Sequence, residues 1–419
     1  MERGAMTTRV TTGFGKAYGW ILSASTVSAM GDGIRFTALP LLSVAVLSDP
    51  FQIALVTSAT TVPWLVLGLP VGAYADRADR VRMMIGADVF RAGGLLVAVA
   101  LLLTGHLTFV PLLLLGLVLG IGEVVFDCAS FAVLPSVVPA SRLEAANGRL
   151  FTAQTVSRDM LGHLAGGVLF TLGRAVPLVV NVVSFVVSAL LLRNLPRQAQ
   201  RPFEERNLWR EVVDGARHIA RDRLLATLTA AAGVINAVYL GQVAVFVLFV
   251  TDVLRLGPTG YSLLLAGGAL GGIAGGLVTE HLVAKVGRRA ALVGGLVLVG
   301  GAGAGVVAGT VVTTALGYFA MGFGLMVWNV VAVSLRQTIV PDHLLGRTIG
   351  AYRVVAWGTM PLGAAAFGAL AQVWGSRWAF GVGAVVILLL AVPVALVLAG
   401  DARLRVPVIG KDCSGAEKL

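Results

Sequence analysis

The sequence predicts an all-α membrane protein of twelve transmembrane helices arranged as two pseudo-symmetric six-helix bundles. Three observations carry that reading. First, 57% of the 419 residues are hydrophobic and only 13% are charged, against about a quarter charged in ordinary soluble domains. Second, apolar stretches of the roughly 20 residues needed to cross about 30 Å of hydrocarbon recur along the chain. Third, Val138-Pro139-Ala140-Ser141-Arg142-Leu143 with Gly148 returns at the same spacing as Val340-Pro341-Asp342-His343-Leu344-Leu345 with Gly350. A repeat of this length is the mark of a duplicated half.

The predicted spans of the first half cover residues 17–47, 51–75, 83–103, 108–134, 147–172 and 175–192. Those of the second half cover 224–253, 260–284, 290–308, 311–335, 349–373 and 378–398. Residues 1–195 then form the N-terminal bundle, 196–222 a cytoplasmic linker, and 223–419 the C-terminal bundle with its tail. The first apolar run is too long for the apolar core of a cleavable signal and reads as a permanent span.

Lys and Arg in short loops set the orientation. One side collects Arg3, Arg9, Lys16, Arg77, Arg80, Arg82, Arg142, Arg149, Lys285, Arg288, Arg289, Arg336, Arg347, Arg403, Arg405, Lys411 and Lys418, whereas the other holds Arg174, Arg255 and Arg377. Both termini are therefore expected in the cytoplasm. The net charge of +11 is spread over these loops, so it reads as a topology signal with no nucleic-acid partner. Within the linker, Trp209, Val212, Val213 and Ile219 suggest either a helix lying on the membrane surface or a solvated linker helix. Cys128 sits in a span and Cys413 in the tail, which leaves no disulfide framework.

Gly72-Ala73-Tyr74-Ala75-Asp76-Arg77-Ala78-Asp79-Arg80, between spans two and three, resembles the signature loop of the major facilitator superfamily. Asp79 stands where that loop has a second glycine. The resemblance implies a conformational latch made by Gly72, Asp76, Arg77 and Arg80. A worn counterpart, Lys285-Val286-Gly287-Arg288-Arg289, follows span eight. Gly162-His163-Leu164-Ala165-Gly166-Gly167 in span five is similar to the Gly-Pro-x-x-Gly-Gly motif of drug and proton antiporters, with His163 in place of proline. Gly31-Asp32-Gly33 and Ala38-Leu39-Pro40-Leu41 in span one look like the branch of macrolide and siderophore exporters.

Ionisable groups at bilayer depth are costly and are functional candidates by default. Asp32 and Arg35 share a face of span one, and Glu123 and Asp127 share a face of span four. Two charged carboxylates side by side in low dielectric are unfavourable, the situation a proton-exchanging carrier uses. Asp32, Glu123 and Asp127 are accordingly the candidates for proton coupling, with Arg35 and Arg158 as charge partners. The other readings are a self-neutralising Asp32–Arg35 pair, a wetted Asp127, and an Arg158 that holds an acid charged. Arg91 and Arg353 read as snorkelling side chains near helix ends.

In the second half Asn236, Tyr239 and Gln242 in span seven, with Trp328 and Asn329 in span ten, are candidate substrate-cavity residues or interhelical hydrogen-bond glue. Gly268, Gly272 and Gly276 in span eight read as a close-packing stripe. The sequence carries no Walker loop, His-Glu-x-x-His or Cys-x-x-Cys pattern, so no cofactor and no metal is expected and an enzyme lacks its parts. The expectation is a monomeric, proton-coupled secondary exporter of a lipophilic small molecule in the bacterial cytoplasmic membrane. The alternatives are a proton-linked importer and a non-transporting receptor or enzyme.

Overall fold

The computed structural model describes residues 14–75, 78–139, 142–195 and 208–401, and it is all-helical among them. The first half contains α1 (Gly15–Val46), α2 (Pro50–Ala75), α3 (Arg80–Leu103), α4 (Phe109–Val137), α5 (Leu143–Thr155), α6 (His163–Leu172) and α7 (Val176–Leu192). A π-helical turn, Val156–Gly162, joins α5 to α6 as one continuous crossing. Then follow α8 (Leu208–Arg221), α9 (Arg223–Leu248), α10 (Pro258–Val307), α11 (Val311–Ile339), α12 (Asp342–Trp374) and α13 (Ser376–Gly400). Nine helices among the described residues are long and apolar enough to cross a membrane. One of them, α10, joins two of the predicted spans across Gly287, whose φ of 82° and ψ of 160° are non-helical.

The repeat seen in the sequence is a repeat of geometry. Val138 and Val340 each end a helix in extended conformation, with ψ of 133° and 127°. The amide of Val138 donates to Leu134 O and that of Val340 to Arg336 O, both at 3.1 Å. Each following proline then accepts from the residue three further on, at 2.9 Å. At the start of α3, Asp79 caps the helix by accepting from the Arg82 amide at 3.2 Å. An acid there satisfies an orphan N–H of the first turn, which is what it offers in place of the usual glycine. Arg80 Nε donates to Ala75 O at 2.9 Å. Asp76 and Arg77 lie outside the described residues.

The chain packs as two compact units. Of the described residues, the first gathers those up to 208 with 240–266 and 360–376, and the second holds 209–239, 267–359 and 377–401. The first unit has two apolar clusters. One includes Tyr18, Ile21, Met84, Phe126, Val133 and Leu150, and the other Leu39, Leu42, Leu95, Leu112, Leu119 and Phe185. Asp32 and Arg35 on α1, Asp88 and Arg91 on α3, and Glu123 on α4 fall between these clusters, with Asp127 level with Phe126 and Ala129 of the first, so a polar layer is flanked by apolar packing above and below.

In the second unit Ile219 of α8 is buried with Val340 and Ala351, and a methyl group on Gly215 would strike the carbonyl of Arg347. The linker helix is thus docked on the start of α12, with Arg217 and Arg221 exposed. The side chain of Trp209 lies outside the described residues. The expected glycine stripe on α10 lies against α11: a methyl on Gly322 would strike the carbonyl of Gly268 and press on the backbone nitrogen of Gly272. Gly271 and Gly275, on the adjacent stripe, face the backbone at Phe319 and Phe323 of the same helix α11. Two interleaved i, i+4 stripes exist on this helix, and the backbone approach uses both.

Candidate functional site

The polar layer of the first unit is a linked network of four carboxylates and three guanidinium groups. Asp32 is 2% exposed and receives Arg91 Nη1 on both carboxylate oxygens at 3.1 Å. Arg91 is fully buried and also pairs with Asp88, one helical turn earlier. Its Nη2 donates to Ser28 Oγ at 2.8 Å, and Ser28 in turn donates to Asp88 Oδ1 at 3.2 Å. Phe185 covers the guanidinium at 4.0 Å from its ring centre and Phe126 at 5.0 Å, a cation–π arrangement that supplies attraction where water is absent.

Arg91 is therefore not a snorkelling side chain. It occupies the twelfth position of the 24-residue helix α3, too far from either end for its stem to reach water. Sequence reasoning missed both Asp88 and Arg91, although their i, i+3 spacing in mid-span repeats that of Asp32 and Arg35.

Arg35 turns away from its intrahelical neighbour. Its Nη2 donates to Glu123 Oε2 at 2.6 Å, whereas its Nε stands 3.7 Å from Asp32. Arg158, on the π-helical turn, sits among three acids: Asp127 at 3.5 Å, Asp32 at 3.8 Å and Glu123 at 3.9 Å. The structure thus joins Asp32, Arg35, Glu123, Asp127 and Arg158 into one cluster. Burial within it is graded: Asp88 and Arg91 are at 0%, Asp127 and Glu123 at 13% and 14%, and Arg158 at 30% side-chain exposure.

Small residues make this geometry possible. A methyl on Gly33 would run into the carbonyl of Arg158 and Cα of Gly162, so α1 crosses the π-helical turn backbone against backbone. A methyl on Gly122 would strike Arg91 Cγ. Gly33, beside Asp32, thus admits the backbone of the π-helical turn, and Gly122, beside Glu123, admits the stem of Arg91. His163 is buried and lies against Phe36, ring centres 5.0 Å apart. An apolar recess of about 390 Å³, lined by Met30, Ile34, Ser157, Val168, Leu169 and Ser184 among others, lies alongside α1 and the π-helical turn.

The second-half candidates divide. Asn236 Nδ2 donates to Ala356 O at 2.8 Å, and Thr359 Oγ1 to Gly233 O at 2.7 Å, so this pair of helices is bonded across. Tyr239 and Asn329 are exposed, whereas Gln242 and Trp328 are buried at 3% and 2%. Among the described residues no group of His, Cys, Asp and Glu is placed to hold a metal ion.

A multi-pass helical protein with a charged layer enclosed in one helical bundle has the build of a membrane transporter. Solved structures agree on the fold. The nucleoside transporter NupG superposes with a TM-score of 0.76 at 11% identity, covering 92% of this chain and 100% of that one. A bacterial homologue of the iron transporter ferroportin, in an inward-facing state, gives 0.74 at 17% identity, covering 92% and 99%. The transmembrane secretion effector family matches residues 14–409, and the chain belongs to that family, a branch of the major facilitator superfamily of transporters. Similar proteins include the multidrug efflux pump Tap of Mycobacterium tuberculosis, 27% identical over 410 residues and 93% of each chain. The putative bacilysin exporter BacE of Bacillus subtilis is 32% identical over 187 residues, 43% of this chain and 44% of that one.

Proposed function

We propose that this transporter exports lipophilic small molecules, such as antibiotics or metabolites, from a bacterial cytoplasm in exchange for protons. The observation that carries the reading is the enclosed network of Asp32, Arg35, Glu123, Asp127 and Arg158, with carboxylates at mid-span on two helices and the α4 and π-turn side less buried than the rest. Carboxylates in low dielectric exchange protons when their cationic partners are shared or displaced. The relatives named for efflux support the outward direction, and the apolar recess has the size and lining that accept a lipophilic group.

In this reading twelve spans form two six-helix halves that rock about a central site, residues 196–222 link them in the cytoplasm, and both termini are cytoplasmic. The protein acts as a monomer in the lipid bilayer. Asn236, Tyr239, Gln242, Trp328 and Asn329 supply substrate contacts from the second half of the sequence. Gly72, Asp76, Arg77 and Arg80 form the latch.

The test is efflux of ethidium, a fluorescent lipophilic cation, and of a panel of antibiotics from proteoliposomes under an imposed pH gradient. Gradient-driven movement that is lost in Asp32→Asn or Glu123→Gln is expected. Transport that persists undiminished in both variants sinks proton coupling at this network, and accumulation in the opposite direction makes the protein an importer.

A further inference from the structure

The network contains four acids, Asp32, Asp88, Glu123 and Asp127, and three arginines, Arg35, Arg91 and Arg158, all joined by contacts within 4 Å. It is one positive charge short. An uncompensated charge enclosed between two apolar clusters is strongly unfavourable, so the network is completed by one proton. We propose that this proton resides on Asp127 and that Arg158 is its positioning residue, while Asp32 is engaged by Arg91. The assignment rests on the proton-coupled reading above and narrows it from three candidate acids to one.

Geometry selects the site. Asp88 pairs directly with Arg91 and accepts from Ser28. Asp32 has a two-point contact with Arg91 at 3.1 Å. Glu123 has the 2.6 Å bond from Arg35. Among the described residues Asp127 has only the 3.5 Å contact with Arg158, which is shared with Asp32 and Glu123. A charge-assisted hydrogen bond is strong when short and aimed at one acceptor, so Asp127 is the acid least held in its charged form. It is also on the less buried side of the layer, at 13% side-chain exposure against 2% for Asp32 and 0% for Asp88, which gives a proton a way in.

Of the elements packed against α4, α5 carries Arg149, which is exposed and lies over the Phe14 ring, and Glu144, whose side chain lies outside the described residues. Asp32 and Arg35 face the layer from α1, Asp88 and Arg91 from α3, Glu123 from α4 itself, and Arg158 from the π-helical turn. The α2 sequence within the span carries no ionisable group except Tyr74, which is exposed near the end of the helix. Asp159 is adjacent to Arg158 in sequence but makes no ion pair with the network among the described residues, and His163 is turned toward Phe36.

The experiment is pH-difference infrared spectroscopy of the purified full chain in lipid nanodiscs, which reads buried protonated carboxyl groups directly. Wild type is expected to show one such band that titrates. Asp127→Asn removes it, Asp159→Asn leaves it, and Asp127→Glu moves its position while Asp32→Glu and Asp88→Glu do not. Arg158→Gln leaves the network two cations short and doubles the band, a result that a purely structural role for Arg158 does not produce. A band that survives Asp127→Asn, disappears in Asp159→Asn, or keeps single intensity in Arg158→Gln overturns the proposal. If the band behaves as expected while a pH gradient fails to drive ethidium, the transport reading fails and the proton assignment stands. If transport is coupled but the band persists in Asp127→Asn, the reverse holds.

Discussion

Arg91 of α3 reaches across to α1 and grips both carboxylate oxygens of Asp32 at 3.1 Å. The pair is buried between Phe126 and Phe185, and it anchors one end of a charged layer whose other end, at Arg158, is partly exposed. A fixed end and an exchangeable end within one network is what distinguishes this arrangement from a set of independent ion pairs.

The fixed end has a stability signature. Removing one partner of a buried, hydrogen-bonded ion pair leaves an unpaired charge and costs about 3–5 kcal/mol. Arg91→Gln is therefore expected to lower the melting temperature of the detergent-solubilised protein sharply. Arg91→Lys should rescue little, because an ammonium group cannot repeat the two-point contact. An Arg91→Gln protein that melts with wild type would show that the pair carries no such weight.

The crossing of α1 over the π-helical turn predicts a steric effect of a single methyl group. Gly33→Ala places its Cβ against the backbone of Arg158 and Gly162, atoms that cannot rotate away. Overpacking of this kind costs about 1–3 kcal/mol. Gly294→Ala, in a helix position with nothing within 4 Å, is the matched control. The comparison is read by thermal melting, and equal stabilities would contradict the close approach.

Much of the fold was legible because hydropathy reports lipid contact directly, and the Val-Pro repeat reported a duplicated helix end. The network was half legible. Asp32, Arg35, Glu123, Asp127 and Arg158 stand out as charges in apolar sequence, but most of their partners lie on other helices, and spacing on one helix finds only the longer of the two ion pairs of Arg35. Arg35 is 2.6 Å from Glu123, 88 residues away, and only 3.7 Å from Asp32, its i, i+3 neighbour. Arg91 was hidden by its own length, since an arginine some ten residues from a basic loop reads as a side chain that reaches water. Only the helix bounds and the enclosing phenylalanines show that it does not. The glycine stripe of α10 was legible in part, because Gly271 and Gly275 on the adjacent face meet α11 beside Gly268 and Gly272.

At the other end of the signature loop, the acid at position 79 makes its own prediction. Asp79 caps α3 through the Arg82 amide and lies 3.4 Å from the Arg82 guanidinium. Asp79→Ala removes the acceptor and is expected to cost about 0.5–2 kcal/mol, while Asp79→Gly costs only a few tenths. Amide hydrogen exchange over the first turn of α3 should rise in the alanine variant and stay close to wild type in the glycine variant. Equal protection in both would remove the capping role.

In the second unit, Asn236 and Tyr239 lie three residues apart on α9 and test two roles against each other. The Asn236 amide is committed to the Ala356 carbonyl at 2.8 Å, whereas Tyr239 is 41% exposed. Interhelical bonds of the Asn236 type average about 0.6 kcal/mol and reach about 1.7 kcal/mol in membrane proteins. Asn236→Ala is therefore expected to lower melting slightly and leave the relative efflux of different compounds unchanged. Tyr239→Ala, which deletes a large exposed ring, is expected to alter that relative efflux with little loss of stability. The two variants are compared in proteoliposomes with the same compound panel. A selectivity change in Asn236→Ala that matches the one in Tyr239→Ala would mean that the asparagine also touches substrate, and that its bond to Ala356 is broken during the cycle.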